Sequence, residues 1–419
     1  MEDTMQNTPL SNRLHIGIFG RRNAGKSTLI NAITGQEIAI VSEVPGTTTD
    51  PVYKAMEIHD IGPVVVIDTG GIDDEGTIGR QRVEKAYKIL NKTDVALLVV
   101  DKDAGFTAHE ENFLKETKKR QIPAIVVLNK FDTGRDIKAL EALCTEKKYS
   151  YVKVSALNKT GIVDLRGKIV ELSPDDFERK MILKDILSPS DVALIVAPLD
   201  IEAPKGRLKL PQVQTIRDIL DSDCTAIVLK EDELERMLAQ LTVKPKLVIA
   251  ESQVFAKVNA VLPKDILLTS FSALYARYKG DLDALAEGAL HIASLKAGDK
   301  VLIAEACTHH PIGDDIGRVV IPNLLNARFA DTGKKLKIDY CAGYDFPENV
   351  SDYKLVIHCG GCMLNRREMV YRINTAKKAG VPITNYGIVI AYASGILGRI
   401  IEPFGAAVSA LEREITVQV

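Results

Sequence analysis

The sequence has no marked excess of charge of either sign. Its 54 Lys and Arg against 56 Asp and Glu leave a formal net charge of −2. That argues against a protein held to nucleic acid mainly by global charge, and no nucleic-acid partner is expected. The opening MEDTMQNTPLSNR is polar rather than basic and then apolar, so no leader is expected. The sequence also lacks an apolar run of bilayer length. The longest late stretch, YGIVIAYASGILG, is too short to span and is followed by Arg399. A cytoplasmic location with no membrane partner is therefore expected. Cysteine is scarce, six in 419 residues, and four of the six (Cys307, Cys341, Cys359 and Cys362) fall in the last third. In a reducing compartment these read as ligands, catalysts or buried thiols rather than disulfides. What is present is ordinary for globular proteins, 46% hydrophobic and 26% charged residues. The length exceeds one ordinary core, so two or three domains are expected.

The first motif is LHIGIFGRRNAGKSTLINAITG. A short apolar run leads into Gly20-x-x-x-x-Gly25-Lys26-Ser27 and then a helical pattern, which is strand, phosphate loop, helix. Backbone N–H groups over Gly20, Asn23, Ala24, Gly25, Lys26, Ser27 and Thr28 would wrap the phosphates. Lys26 reaches the β/γ-phosphates and Ser27 binds Mg²⁺. In VVVIDTGG, Asp68 ends a strand where it can hold the Mg²⁺ shell, and the Gly71 N–H can reach the γ-phosphate. IVVLNKFD supplies Asn129, Lys130 and Asp132, which resemble the guanine-specificity motif; VSAL supplies Ser155 and Ala156, which resemble the loop supporting guanine O6. VPGTTTD reads as the first switch, with Thr48 chosen over Thr47 and Thr49 to complete the Mg²⁺ shell. Together these predict GTP binding, with Lys26, Thr48, Asp68 and Gly71 serving hydrolysis.

The patterns G-x-x-N-A-G-K-S and P-G-T-T-x-D resemble the bacterial group that includes ribosome-assembly and tRNA-modification GTPases. By that resemblance Asn23 helps to bind K⁺ beside the phosphates. Ile72 stands where Ras-like proteins place a water-orienting Gln. Slow hydrolysis, accelerated by K⁺, is expected.

The GTPase domain is expected to span 1–172, ending at Ser173-Pro174-Asp175-Asp176. The apolar strands DVALIVAP, CTAIVLK, KLVIAES and DILLTS predict a middle open-sheet αβ domain over 173–268, suited to homodimerisation through RLKLPQVQTIRDILD. Cys224 reads as a core thiol. DKVLIAEAC, KLKIDYC, YKLVIHC and VPITNYG predict a third domain over 269–419 with another open sheet. Ligands of such sheets bind at the carboxyl ends of strands, which points Cys307, Cys341 and Cys359 toward one crevice.

Around Cys307-Thr308-His309 and His358-Cys359-Gly360-Gly361-Cys362 four readings compete: structural zinc, a C-x-x-C redox pair, an iron–sulfur cluster, or core thiols. The residue chemistry leaves zinc and iron–sulfur open. The helical run MLNRREMVYRINTAKK would turn its first N–H groups toward whatever the cysteines hold.

A GTPase domain of this type, a middle αβ domain and a terminal C-x-H…H-C-x-x-C pattern together resemble the FeFe-hydrogenase maturation GTPase family, over essentially the whole chain. The resemblance implies a scaffold or carrier. Cys307, Cys359 and Cys362 would hold a 4Fe–4S cluster with one exchangeable iron site. The cargo would be a di-iron subcluster, received from two radical-SAM maturation enzymes and delivered to the apo FeFe-hydrogenase. Glu305, His309, His310 and His358 are the candidates for a labile fourth ligand, and Cys341 lies outside the family's pattern. The alternative is a ribosome- or tRNA-associated GTPase with a structural zinc site. The chain is not itself a radical enzyme, since it lacks C-x-x-x-C-x-x-C.

Overall fold

The structure is a computed structural model that describes residues 8–35, 51–58, 61–74, 76–132, 137–174, 182–198, 208–306, 315–327, 329, 335–343, 345–347 and 349–405. The chain divides into two compact units, Met1–Arg179 and Lys180–Val419.

The first unit is a doubly wound α/β domain. Its strands are β1 (Leu14–Gly20), β2 (Val52–Ile58), β3 (Gly62–Asp68), β4 (Val95–Asp101), β5 (Ala124–Asn129) and β6 (Ser150–Val154). They form one sheet in the order β2-β3-β1-β4-β5-β6, parallel except for β2. The helices are α1 (Lys26–Thr34), α2 (Gly76–Leu90), α3 (Ala108–Lys119), α4 (Lys138–Glu146) and α5 (Ile162–Leu172). Strand β1 is buried along its whole length, as a central parallel strand covered on both faces must be. Ile16 and Ile18 pack with α1 and α5, while Phe19 packs with α2 and α3 on the opposite face. This alternation places the end of β1 between two layers, where the phosphate loop begins.

The second unit holds two four-stranded parallel sheets. In the first half lie β7 (Val192–Val196), α6 (Leu210–Asp221), β8 (Thr225–Leu229), α7 (Leu234–Gln240), β9 (Leu247–Ala250), α8 (Phe255–Val261), β10 (Leu267–Ser270) and α9 (Phe271–Lys279). In the second half lie α10 (Leu282–Leu290), β11 (Lys300–Glu305), α11 (Ile321–Asn326), β12 (Lys337–Ala342), β13 (Leu355–His358), α12 (Arg366–Lys378), β14 (Ile383–Asn385), α13 (Tyr386–Ala393) and α14 (Leu397–Ile401). The sheet orders are β10-β9-β7-β8 and β12-β11-β13-β14. Read from the appropriate edge, both follow the order second, first, third, fourth, so the two halves share one topology. Each has a switch point, between β7 and β9 and between β11 and β13, where successive crossovers leave in opposite directions.

All eight apolar runs read as strands in the last two domains form strands. The expected boundary at 268/269 falls inside β10, and the two sheets share one apolar core. Helix α14 ties them: the Thr269 hydroxyl donates to the Ile400 carbonyl at 2.9 Å, and Arg399 donates to Asn259 at 2.6 Å and the Pro263 carbonyl at 2.6 Å. Helix α6 buries Gln212, Thr215 and Ile219 and leaves Val213 and Leu220 exposed. Cys224 is buried before β8, its thiol donating to the Ser188 carbonyl at 3.0 Å. Among the described residues no helix is long and apolar enough to cross a membrane.

His15 in β1 is buried, and its Nδ1–H donates to the Arg13 carbonyl at 2.8 Å. Burial pulls its pKa down to about 4, the Arg13 carbonyl opposing and Lys92 adding to the fall. Protonation therefore favours the unfolded chain. The stability gained from neutral His15 is complete above the ordinary histidine value of ~6.5 and is lost as pH falls toward 4. Denaturant titrations of the first unit's unfolding should lose about 3 kcal/mol more over that interval in the parent than in His15→Gln.

Candidate functional site

The phosphate loop is shaped by backbone conformation. Gly20 has φ 147° and Gly25 φ 93°, both in the region that penalises a side chain. A Cβ on Gly25 would lie 2.3 Å from Asn129 Nδ2. Asn23 takes φ 59°, and its carbonyl accepts from Lys130 Nζ at 2.9 Å. Lys26 Nζ donates to the Gly20 and Arg21 carbonyls, each at 2.9 Å, across the loop. The Ser27 hydroxyl donates to Asp68 at 3.3 Å. Burial lowers the pKa of Lys26 against the pull of Asp68, Asp73 and Asp74; burial likewise raises that of Asp68 against Lys26 and Ser27. The loop thus brings together one ammonium, one hydroxyl and one carboxylate that water solvates poorly, the donor set that phosphate and Mg²⁺ satisfy.

Asn129 locks this loop to the next. Its Nδ2 donates to the Ala24 carbonyl at 2.9 Å and its Oδ1 accepts from the Ala156 N–H at 3.1 Å. Lys130 Nζ also pairs with Asp101 at 2.7 Å. Asp132 is held from the far side by Asn158 Nδ2 at 3.2 Å, and the hydrogen bond from Ser155 keeps its pKa low. Thr69 donates to the Ile18 carbonyl at 2.7 Å, which fixes the turn before Gly70 and Gly71. The Ile72 N–H donates to the Gly20 carbonyl at 3.3 Å, and its side chain is buried in the core with Phe19. Thr28 is half-buried in the first turn of α1. Thr47, Thr48 and Thr49 lie outside the described residues.

The second site lies at the β11/β13 switch point. The pairing Ala304 with His358 brings the two strand ends level. The Cys359 N–H donates to the Ala304 carbonyl at 2.8 Å, and the Ala306 N–H donates to Cys359 Sγ at 3.0 Å. Cys307 follows Ala306 directly in sequence; it lies outside the described residues, as do His309 and His310. Gly361 takes φ 63°, and the Leu364 N–H donates to its carbonyl at 3.0 Å, closing the turn that carries Cys362. Among the described residues no three His, Cys, Asp or Glu side chains converge on one point.

Cys359 and Cys362 line a cleft of about 250 Å³ together with Glu305 and Tyr386. Lys209 and Glu251, near the carboxyl ends of the middle sheet, line its other wall, so the cleft joins the two switch points. Glu305 accepts from Arg318 at 3.1 Å. The Tyr386 hydroxyl is buried with no hydrogen-bond partner among the described residues. Burial, then the neighbouring Cys359, Glu305, Asp315 and Tyr340, raise the Tyr386 pKa, so it remains a donor.

Three expectations change here. His358 is fully buried, and both ring nitrogens are engaged: Nδ1–H donates to the Cys359 carbonyl at 2.6 Å and Nε2 accepts from Arg372 at 3.0 Å. Burial, then Arg372, pulls its pKa down to about 3, so the ring is neutral and offers no nitrogen to the cleft. Cys341 pairs with Ala304 across the sheet, and Ala304 pairs with His358. The period-two alternation therefore puts Cys341 on the His358 face, opposite Glu305 and Cys359. Burial pushes its thiol up to about 11, against the nearby Arg372. Last, α12 begins only at Arg366, and its cap Asn365 accepts from the Glu368 N–H at 3.1 Å, so the helix does not start at the cysteine turn.

Sequence reading missed Lys279. This residue ends α9, is 3% exposed, and donates to the carbonyls of Cys362 and Leu364, both at 2.9 Å. Burial pulls its pKa down to about 8, with Cys362 opposing. No local motif marks it; it lies 83 residues before its partner.

The Asn129 bridge and the space at Gly25 predict two nucleotide-site phenotypes. Asn129→Ala breaks two buried hydrogen bonds and should weaken GDP binding about 10- to 100-fold. Gly25→Ala should abolish binding measured by fluorescent-nucleotide titration, because both the φ value and the clash oppose it.

Three family models match in chain order. The 50S ribosome-binding GTPase model covers residues 15–130, the hydrogen maturase F dimerization domain 182–280, and the hydrogen maturase F tetramerization domain 283–403. The last two meet between α9 and α10. GTPase Der of Campylobacter concisus is 38% identical over 173 residues, 39% of this chain and 37% of that protein. The tRNA modification GTPase MnmE of Chromobacterium violaceum is 32% identical over 168 residues, 40% of this chain and 36% of that protein. The chain thus spans little more than a third of the length of these curated relatives. Among solved structures, Aquifex aeolicus Era bound to GDP and aluminium fluoride matches at 22% identity and TM-score 0.36, covering 60% of this chain and 99% of that one. The G domain of the T. maritima FeoB iron transporter matches at 21% identity and TM-score 0.30, covering 38% of this chain and 98% of that one. With both maturase models laid end to end behind a GTPase domain, the chain belongs to the hydrogen maturase F family.

Proposed function

We propose that the protein is a GTP-binding and GTP-hydrolysing scaffold for hydrogenase maturation. Cys307, Cys359 and Cys362 hold a 4Fe–4S cluster, and the cargo is the di-iron subcluster of FeFe-hydrogenase. The cargo comes from two radical-SAM maturation enzymes and goes to the apo-hydrogenase, with the chain acting as a homodimer in the cytoplasm. The observation that carries this is the Ala306 amide on Cys359 Sγ. In a family of hydrogen maturases it places the residue before Cys307 against the C-x-x-C turn, at the ligand-binding end of an open sheet. An amide bonded to a cysteine sulfur is the contact that stabilises a thiolate ligand. The Tyr386 hydroxyl, which has no hydrogen-bond partner among the described residues, supports the same reading, since a ligand in the cleft could accept from it. Glu305 and His309 stand as fourth-ligand candidates. When bound, the cluster supplies an iron with an exchangeable position.

Lys26 and the loop amides hold the phosphates, Ser27, Thr48 and Asp68 the Mg²⁺, and Asn23 a K⁺ ion. With Ile72 buried in place of a water-orienting side chain, hydrolysis depends on K⁺ for charge at the transition state. The GTP cycle orders and releases the switch segments and so regulates partner binding.

Two measurements test this. GTP turnover should rise at least several-fold when Na⁺ is replaced by K⁺, and the rise should vanish in Asn23→Ala. Anaerobically purified protein should contain about four irons and four sulfides per chain. These should be lost in Cys359→Ser and Cys362→Ser and kept in Cys341→Ser. One zinc and no sulfide would instead leave a GTPase with a structural metal site.

A further inference from the structure

Among the described residues Lys279 is an ammonium buried without a carboxylate partner. No carboxylate lies within ion-pair distance of it there; its ammonium donates to two main-chain carbonyls and stands 5.7 Å from the Tyr275 ring centre. Dipoles and a ring face solvate an ammonium but do not neutralise it, and burying a lone charge is costly. The two carbonyls belong to Cys362 and Leu364, so the charge sits against the cysteine turn. Tyr275 is held in place by a hydrogen bond from its hydroxyl to Gln214 of α6. The ammonium is thus delivered by the dimerization-domain segment to a turn of the tetramerization-domain segment.

We propose that Lys279 is the positioning residue and counter-ion of the cysteine-held cluster: it fixes the Cys359–Cys362 turn through two carbonyls and sets a positive charge beside the cluster's negative one. The inference rests on the cluster reading above. Its electrostatic consequence is specific. Reduction adds a negative charge to the cluster, so a nearby buried cation stabilises the reduced form more than the oxidised form and raises the midpoint potential.

The test uses the full chain, reconstituted anaerobically as parent, Lys279→Met and Lys279→Arg. Iron and sulfide are measured first, then the midpoint potential by EPR-monitored redox titration. Lys279→Met is expected to keep the parent's iron and sulfide with the midpoint shifted to more negative potential, and Lys279→Arg to keep the parent's midpoint. A Met variant with full cluster content and an unshifted midpoint overturns the proposal. If the Met variant loses its cluster, the Arg variant decides: retention at the parent's midpoint supports a charge requirement, and loss there too reduces Lys279 to packing and overturns it. A parent protein that takes up no iron and sulfide at all defeats the cluster reading itself, and this inference with it.

Discussion

The parallel pairing of β11 with β13 is the constraint on which the carboxyl-terminal site depends. It sets Ala304 level with His358, and from that register the next residues have little freedom. Cys359 must bond the Ala304 carbonyl, and Ala306 must present its amide to Cys359 Sγ. Because β12 lies on the other side of β11, the crossovers part at this point, and a crevice opens at the strand ends. The glycine turn at 360–361 then folds Cys362 back over the same crevice, with Gly361 in a left-handed conformation. The site is therefore made by main-chain geometry, with side chains added to it.

The nucleotide site follows the same logic in the first unit. Strand β1 ends between two packed layers, and its loop is held open by glycines that could not carry a Cβ. Asn129 then spans from that loop to Ala156. In each unit the polar groups that matter sit near the ends of parallel strands, and burial is the main cause that draws Lys26, Asp68 and Tyr386 off their ordinary pKa values. The second unit repeats one topology twice and uses both copies. The middle sheet contributes one wall of the cleft and the buried Lys279, while the terminal sheet contributes the thiols.

Much of this was legible in the sequence because the chemistry is local there. The phosphate loop, the Asp68 strand and the Asn129 motif each need particular residues at particular spacings. The eight strands of the second unit were legible because each is a short apolar run with a polar boundary. What failed to show was whatever depends on which face of a sheet a residue takes. His358 and Cys341 stand near the cysteines in sequence or at neighbouring strand ends, yet the two-residue alternation turns both toward Arg372 and away from the cleft. The start of α12 was misplaced because Asn365, not the cysteine turn, caps it. Lys279 was invisible because its partners are carbonyls, which any sequence supplies, 83 and 85 residues away. The boundary between the second and third domains was obscured by the common core that joins the two sheets.

The central claim is that three cysteine thiolates hold the cluster and leave one iron exchangeable. The most direct measurement is EPR hyperfine spectroscopy of the reduced protein after adding isotopically labelled cyanide. A cluster with an exchangeable iron should show magnetic coupling to the labelled carbon. A spectrum with a full cluster signal and no such coupling, as four thiolate ligands would give, would contradict the account.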